Sequence, residues 1–406
     1  MRLIATIKNL PFLFNIVVMT TLVACIGGSS FLGYNISGYA WIISFIFAGY
    51  VLIAKRGKIH FPIKIWLPWI FSVTCYVMFA DESNALQRSI MIICPIVVGV
   101  AASKYGLDVD QMGNVTALYK YIASALYGIV IIKTGILMSA ALPEFAGLAP
   151  EVMTGTLLCT FFAVQFAQGD NKAIAWWSAL AAIPLIAVTR MGMIASGLTL
   201  VLTPAPMKFV KRVTCVALII AVTVPVFYSR RVQQKMFYSG QGAISEISFE
   251  NPDFDTSGRK HMWEVMRKGI ADDPWFGHGA NSSEALIRAV TGGIVHPHND
   301  YLRLFYDYGY ITSAIFGICI LLQFIDLLKK ASCSPQYLKV LFYAGATSFI
   351  SFLMFMFTDN IVLYAAFFGN LQFTILGLAY GSFEKSNGNS RRQHLNSRKR
   401  KVSIKW

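Results

Sequence analysis

Apolar residues in this chain come in long unbroken runs, not in the alternation of half-buried strands or the one-sided stripe of soluble helices. The runs cover 10–28, 34–54, 65–80, 89–103, 118–137, 150–168, 173–189, 191–206, 213–228, 308–328, 338–357 and 361–381. Each suits a helix crossing a hydrocarbon layer of about 30 Å, if the shorter ones extend or tilt little. Backbone in lipid must satisfy its own hydrogen bonds, so helices are the element such runs can form. The pattern predicts an all-α polytopic membrane protein with about twelve transmembrane helices. The expected divisions are 1–228 (nine helices), 229–307 (a large, partly helical outer segment), 308–381 (three helices) and 382–406 (a basic tail).

Composition agrees. Of 406 residues, 56% are hydrophobic and only 14% charged, against about 45–50% and about 25% in soluble domains. Soluble enzymes, disordered chains, secreted disulfide scaffolds and single-span anchors are thereby excluded. The formal net charge of +15 suggests nucleic acid at first sight, but the cations argue against such a partner. They cluster between apolar runs at Lys55, Arg56, Lys58 and Lys64, at Lys208, Lys211 and Arg212, at Lys329, Lys330 and Lys339, and in the tail. Short basic loops mark the cytoplasmic side. With Met1 inside and twelve spans, all these clusters are cytoplasmic, while the opposite loops (Asp81-Glu82 with Arg88, 138–149, Thr358-Asp359-Asn360) are poorer in cations. Arg230, Arg231 and Lys235 fall outside, against the rule, but they open a long segment, and long segments translocate largely regardless of charge. The N-terminus reads as an uncleaved first span. The tail from Glu384 is too polar to bury and is expected to be unstructured beside anionic lipid. Six of the seven cysteines lie in or beside apolar runs, with no CxxC or Cys/His spacing, so neither a disulfide framework nor a zinc site is expected.

The outer segment, Ser229 to about Asp307, is the one extramembrane stretch large enough to build a site. His261–Ala271 has helical apolar spacing and stops at Asp272-Asp273-Pro274. Ser282–Val290 reads as a second helix, with Ser282 suited to its N-cap. Three features carry candidate chemistry. Arg190 sits between two apolar runs at the outer face, either as a functional charge or as a side chain reaching the headgroups. Arg259 opens a predicted helix, where anions are favoured; a solvated surface arginine is the plainer alternative. His296 and His298, followed by Asn299, Asp300 and Arg303, lie at the membrane boundary. A histidine there can take a proton from a hydroxyl, hold a metal with a partner, or cap the next span. Tyr301, Tyr306, Tyr308, Tyr310 and Trp275 fit sugar stacking and an interfacial belt equally. Two arginines and a histidine on one face, without a metal motif, suit a pyrophosphate handled without metal.

The motifs Thr189-Arg190-Met191-Gly192, Gly258-Arg259 with Trp263 and Pro274-x-x-Gly277-x-Gly279, and His296-x-His298-Asn299-Asp300-Tyr301-Leu302 followed by Gly309 stand in order, with Arg190, Arg259 and His298 separated by 69 and 39 residues. Over about 180–310 the chain resembles the O-antigen ligase and O-antigen polymerase superfamily of bacterial envelope glycosyltransferases. The resemblance implies a metal-independent transfer from an undecaprenyl-pyrophosphate-linked glycan at the outer face of the inner membrane, with no cofactor. Arg190 and Arg259 would bind the pyrophosphate, and His298 would be the base, with His296 the lesser candidate. The acceptor would be a lipid-linked repeat unit, if a polymerase, or lipid A-core, if a ligase; the sequence leans slightly to polymerase. Met191 between Arg190 and Gly192 departs from the family's form, in which Gly follows Arg directly. A reading of another class, a transporter or lipid-linked sugar flippase, would need charged or broken helices at mid-membrane, for which Lys133, Pro95 and Pro184 are the few candidates.

Overall fold

The structure, a computed structural model, describes residues 2–27, 30–31, 34–80, 82–138, 147–293 and 295–403, with backbone alone for 2, 30–31, 34–37, 136–138 and 389–403. Asp81, most of 138–149 and the tail residue Lys405, all used in the topology above, lie outside the described residues. In chain order the helices are α1 (Arg2–Lys8), α2 (Phe12–Ile26), α3 (Ile36–Ala54), α4 (Leu67–Met78), α5 (Ala85–Ala102), α6 (Val109–Met138), α7 (Ala149–Ala167), α8 (Ala173–Ile186), α9 (Arg190–Val201), α10 (Phe209–Phe227), α11 (Arg230–Met236), α12 (Arg259–Asp272), α13 (Ser282–Thr291), α14 (Asp300–Cys333), α15 (Gln336–Met356) and α16 (Asn370–Ser403). A two-residue β pair, Ser30–Phe31 with Tyr34–Asn35, is a minor exception to the helical architecture.

A helix occupies each apolar run. By length and composition, α5, α6, α10, α14 and α15 are able to cross a membrane, and α2, α3, α4, α8 and α9 are shorter apolar helices. Outward-facing side chains agree: α10 leaves Val213, Leu218, Ile220 and Val222 exposed, a surface suited to lipid rather than water. At the centre α5 lies along α16, and α7 lies against α8, α9 and α15. The α5–α16 approach depends on small residues, since a Cβ on Gly377 would come within 2.2 Å of the Gly99 carbonyl oxygen. Lys133 is part of this packing: its Nζ lies 2.6 Å from Glu151 and 2.7 Å from the Cys25 carbonyl, tying α6 to α7 and α2.

Three segments differ from the sequence expectation. The tail continues as helix through Ser403, because extending a helix already nucleated in the bundle costs little. The last apolar run is irregular from Ile361 to Gly369, a 3-10 turn and a π-turn, and α16 begins only at Asn370. Its freed carbonyls are served from within the protein: Thr21 donates to Ala366 (3.1 Å) and Thr154 to Phe367 (2.6 Å). Such backbone is tolerated at membrane depth where protein buries it.

The third difference positions the site. α14 is broken at Gly309 (φ 68°, ψ 178°), a conformation essentially confined to glycine. The Pro274–Gly279 turn docks into the break. It donates from His278 N to the Tyr306 carbonyl (2.8 Å) and from Gly279 N to that of Asp307 (3.0 Å). It accepts at Pro274 from Tyr310 N (2.8 Å) and at Trp275 from Ile311 N (3.4 Å). From α4, the Tyr76 hydroxyl reaches the Tyr308 carbonyl at 3.1 Å. The groups that a continuous helix would have paired with one another are paired instead with the outer segment.

A Cβ on Gly309 would lie 2.3 Å from the Trp275 oxygen. Gly309→Ala is therefore expected to undock the turn without preventing membrane insertion. Limited proteolysis should cut the variant faster than wild type between residues 229 and 300, and equal rates would contradict this coupling.

Candidate active site

The Thr189-Arg190 element follows Val188, held at φ 49°, and opens α9. The Arg190 guanidinium donates to the Asp255 carbonyl (2.7 Å) and to Ser257 Oγ (3.3 Å), and lies 5.4 Å from the centre of the Phe254 ring. It thus grips the loop that leads into the second element. There Ser257 (φ 55°) and Gly258 (φ 73°) are both left-handed and turn the chain into α12, whose first residue is Arg259. Arg259 Nη1 donates to the Thr358 carbonyl at 2.6 Å, in the connection between α15 and α16. The charges of Arg190 and Arg259 act on one another.

The third element ends on the same connection. His298, held at φ 50°, directs Nδ1 at Asn360 Nδ2 (3.2 Å) and toward Asp359 Oδ1 (3.6 Å). The Asn360 amide donates to Nδ1 in that contact, which leaves Nε2 to carry the proton, or an Nδ1–H points at Asp359; the two ring tautomers differ in which neighbour they use. Tyr364 donates its hydroxyl to the same Asp359 oxygen (3.0 Å). Trp263 fixes the loop before His298 by donating Nε1–H to the Pro297 carbonyl (2.9 Å). Arg190, Arg259 and His298 are thereby linked through 255–257 and Thr358–Asn360. Among the described residues, four non-glycine positions have positive φ, and three of them, Val188, Ser257 and His298, are in or next to the three motifs. Strain of this kind costs about 1–3 kcal/mol per residue and gathers at functional sites.

The other candidates contact neighbouring elements. Asn299 caps α14 by accepting from Leu302 N (3.1 Å). Asp300 accepts from Val362 N at 2.8 Å and so ties α14 to the irregular segment. His296 faces away from His298: its Nδ1 is 3.1 Å from Glu284 Oε1, which also pairs with Arg88 Nε at 2.8 Å. Buried Arg303 lies between Glu284 (3.9 Å), Asp307 (3.5 Å) and Asn281 (3.1 Å). Asp307 in turn accepts from Ser283 N at 2.7 Å, at the start of α13. A cavity of about 320 Å³ borders this network at Asn84, Asn281, Glu284 and Arg288, and none of Arg190, Arg259 and His298 lines it. Tyr306 stacks on His278 at 4.3 Å, Tyr308 is buried, and Trp275 and Tyr310 are exposed, which suits an interfacial place for the latter two.

Sequence reading passed over Thr358, Asp359 and Asn360 as a short loop poor in cations. The signal was present: an acid and an amide between two apolar runs, on the face that carries the histidine.

A family model described as O-antigen ligase matches residues 173–317. This part of the chain is similar to the O-antigen ligase family. The match spans all three motifs, and it supports a membrane glycosyltransferase of the O-antigen ligase and polymerase type. No curated protein sequence matches the chain. Within the matched segment, the stretch around Glu284 holds the third motif against α5 and α14.

Burial pushes the Glu284 carboxyl up, but the His296 hydrogen bond and the charges of Arg88 and Arg303 outweigh it and hold the group at about 2. Burial pushes His296 below its ordinary 6.5. Both depressed values act in one direction. The histidine favours the fold above 6.5 and loses that contribution as the pH falls; the carboxylate contributes fully above 4.5 and loses it toward 2. Hydrogen-exchange protection of 282–303 should therefore drop on acidification. Glu284→Gln, which leaves Arg88 and Arg303 under-compensated at a cost of roughly 3–5 kcal/mol, should already be poorly protected at neutral pH, with a flatter acid limb. A wild-type-like profile in this variant would remove Glu284 as the anchor.

Proposed function

We propose that the protein is a metal-independent glycosyltransferase that moves an undecaprenyl-pyrophosphate-linked glycan to an acceptor hydroxyl on the periplasmic or exterior side of the inner membrane. The observation that carries this reading is the convergence of Arg190, Arg259 and His298 on one small region, two through Thr358–Asn360 and one through the loop just before Arg259. Guanidinium groups bind phosphate oxygens bidentately and offset charge on a leaving group. The acceptor oxygen attacks the anomeric carbon, the bond from that carbon to the phosphate oxygen breaks, and His298, in the tautomer whose Nδ1–H points at Asp359, takes the acceptor proton on Nε2. A single displacement inverts the anomeric configuration. Asp359 stabilises the imidazolium that forms, since its carboxylate lies 3.6 Å from the ring nitrogen. Asn299, Asp300 and Arg303 hold the frame and take no part in proton transfer.

The preferred acceptor is the next lipid-linked repeat unit, as in a polymerase; lipid A-core, as in a ligase, is the alternative. A transporter or flippase is the less favoured class: Lys133 pairs with Glu151 and a backbone carbonyl, and the candidate cations gather at the outer face.

Arg190→Ala, Arg259→Ala and His298→Ala are each expected to cut product by about 10²–10³ while the protein still inserts, measured with a defined undecaprenyl-pyrophosphate oligosaccharide with and without chelator. Near-normal product from His298→Ala would remove that side chain as the base. Loss of product on chelation would refute metal independence. The lipopolysaccharide ladder of a deletion strain separates the acceptors: single repeats on core indicate a lost polymerase, bare core with accumulating lipid-linked polymer a lost ligase.

A further inference from the structure

The outer segment opens with cations on the side where cations are scarce, and α11 carries the last of them, Lys235, to the candidate site. Asp255 N donates to the Met236 carbonyl (2.9 Å) and Tyr238 N to that of Asp253 (2.8 Å), while Phe237 and Phe254 form an antiparallel bridge. The end of α11 is thereby pinned to the 253–255 stretch whose Asp255 carbonyl Arg190 holds. Met236 Sδ lies 3.9 Å from Arg190 Nη1. Lys235, next in the chain to Met236, keeps surface within reach of a ligand, although neighbouring groups partly desolvate its ammonium.

The charges acting on Lys235 come from three elements: Arg190 on α9, Arg259 on α12, and Asp255 in the loop between α11 and α12. Tyr238, which hydrogen-bonds Asp255, is the neighbouring titratable group. Burial, then the two guanidiniums, push Lys235 below the ordinary lysine range, and Asp255 offsets this in part. Around Lys235 three cations thus face the single carboxylate of Asp255, and even with Asp359, one residue beyond the carbonyl that Arg259 holds, positive charge remains in excess. Without a ligand this arrangement repels itself, and it fits a site built for an anion.

We propose that Lys235 is a third phosphate-binding cation of the site, placed to meet the charge that develops on the departing diphosphate. The inference rests on the diphosphate-linked donor proposed above. A diphosphate diester carries two negative charges, of the sign this excess attracts. When the anomeric carbon–oxygen bond breaks, its electron pair stays on the phosphate oxygen and adds a third, while the acceptor proton goes to His298. A lysine ammonium is a compact charge on a flexible stem, able to follow that oxygen, where a guanidinium fork tied to backbone carbonyls is fixed.

The test uses inorganic pyrophosphate as probe, by calorimetry on the purified full-length chain in detergent. Lys235→Gln should weaken binding about tenfold, as the loss of one charge-assisted contact of about 1.4 kcal/mol implies. Lys268→Gln, a control on the exposed face of α12, should not. As the pH is raised from 7 toward the ordinary lysine value of about 10.4, affinity should fall in wild type relative to Lys235→Arg, whose charge does not titrate. Tyr238 is common to both proteins and cancels in the ratio. A merely structural lysine would not move this ratio. Wild-type affinity in Lys235→Gln, or a constant ratio across the pH range, overturns the role of Lys235 while Arg190→Gln still weakens binding. If wild type does not bind pyrophosphate, or Arg190→Gln binds as wild type does, the diphosphate reading fails and the role of Lys235 with it.

Discussion

Backbone that leaves the helix at a membrane boundary must find hydrogen-bond partners within the protein, and the site is built from the ways this chain supplies them. Two such openings face the outer segment: the break in α14 at Gly309 and the irregular connection between α15 and α16. Water can satisfy neither where protein and lipid enclose it. The first is closed by the Pro274–Gly279 turn. The second is held by Thr21, Thr154 and Asp300, and by Arg259 at the Thr358 carbonyl. Each repair brings a motif to a fixed place. The places of Arg259 and His298 are therefore consequences of the same bonding requirement, with no separate scaffold.

Much of this was legible in the chain. Apolar runs located the helices because lipid allows little else, and the run beginning at 308 falls at the Gly309 break. The motif positions of Arg190, Arg259 and His298 were readable because charge at a membrane edge is costly to keep. The separate contacts of His296 and His298 were not. Two residues apart in a loop, they point to different partners, Glu284 in one case and Asn360 with Asp359 in the other. Only the left-handed turn at His298 separates them. Nor was the late start of α16 readable, since Ile361–Gly369 is as apolar as any span. What breaks it is tertiary: the hydroxyls of Thr21 and Thr154 and the carboxylate of Asp300 compete for its backbone groups.

The buried polar groups divide by task. Lys133 with Glu151, and Arg88 with Glu284, Arg303 and Asp307, are paired within the protein and fasten helices or segments together. Arg190 and Arg259 bind neutral backbone oxygens instead. A carbonyl positions a guanidinium without cancelling its charge, so the field remains available to an incoming anion.

The turn seated in the α14 break has a consequence for how the molecule matures. Its carbonyls and amides complete a membrane helix that arrives later in synthesis, so the segment between α10 and α14 is no detachable head. Until the tenth hydrophobic stretch is threaded, Pro274–Gly279 has no seat, and until the final stretch follows, Arg259 and His298 lack the loop they meet. The contacts that join the three motifs thus form only with the last helices, and a growing or truncated chain lacks them.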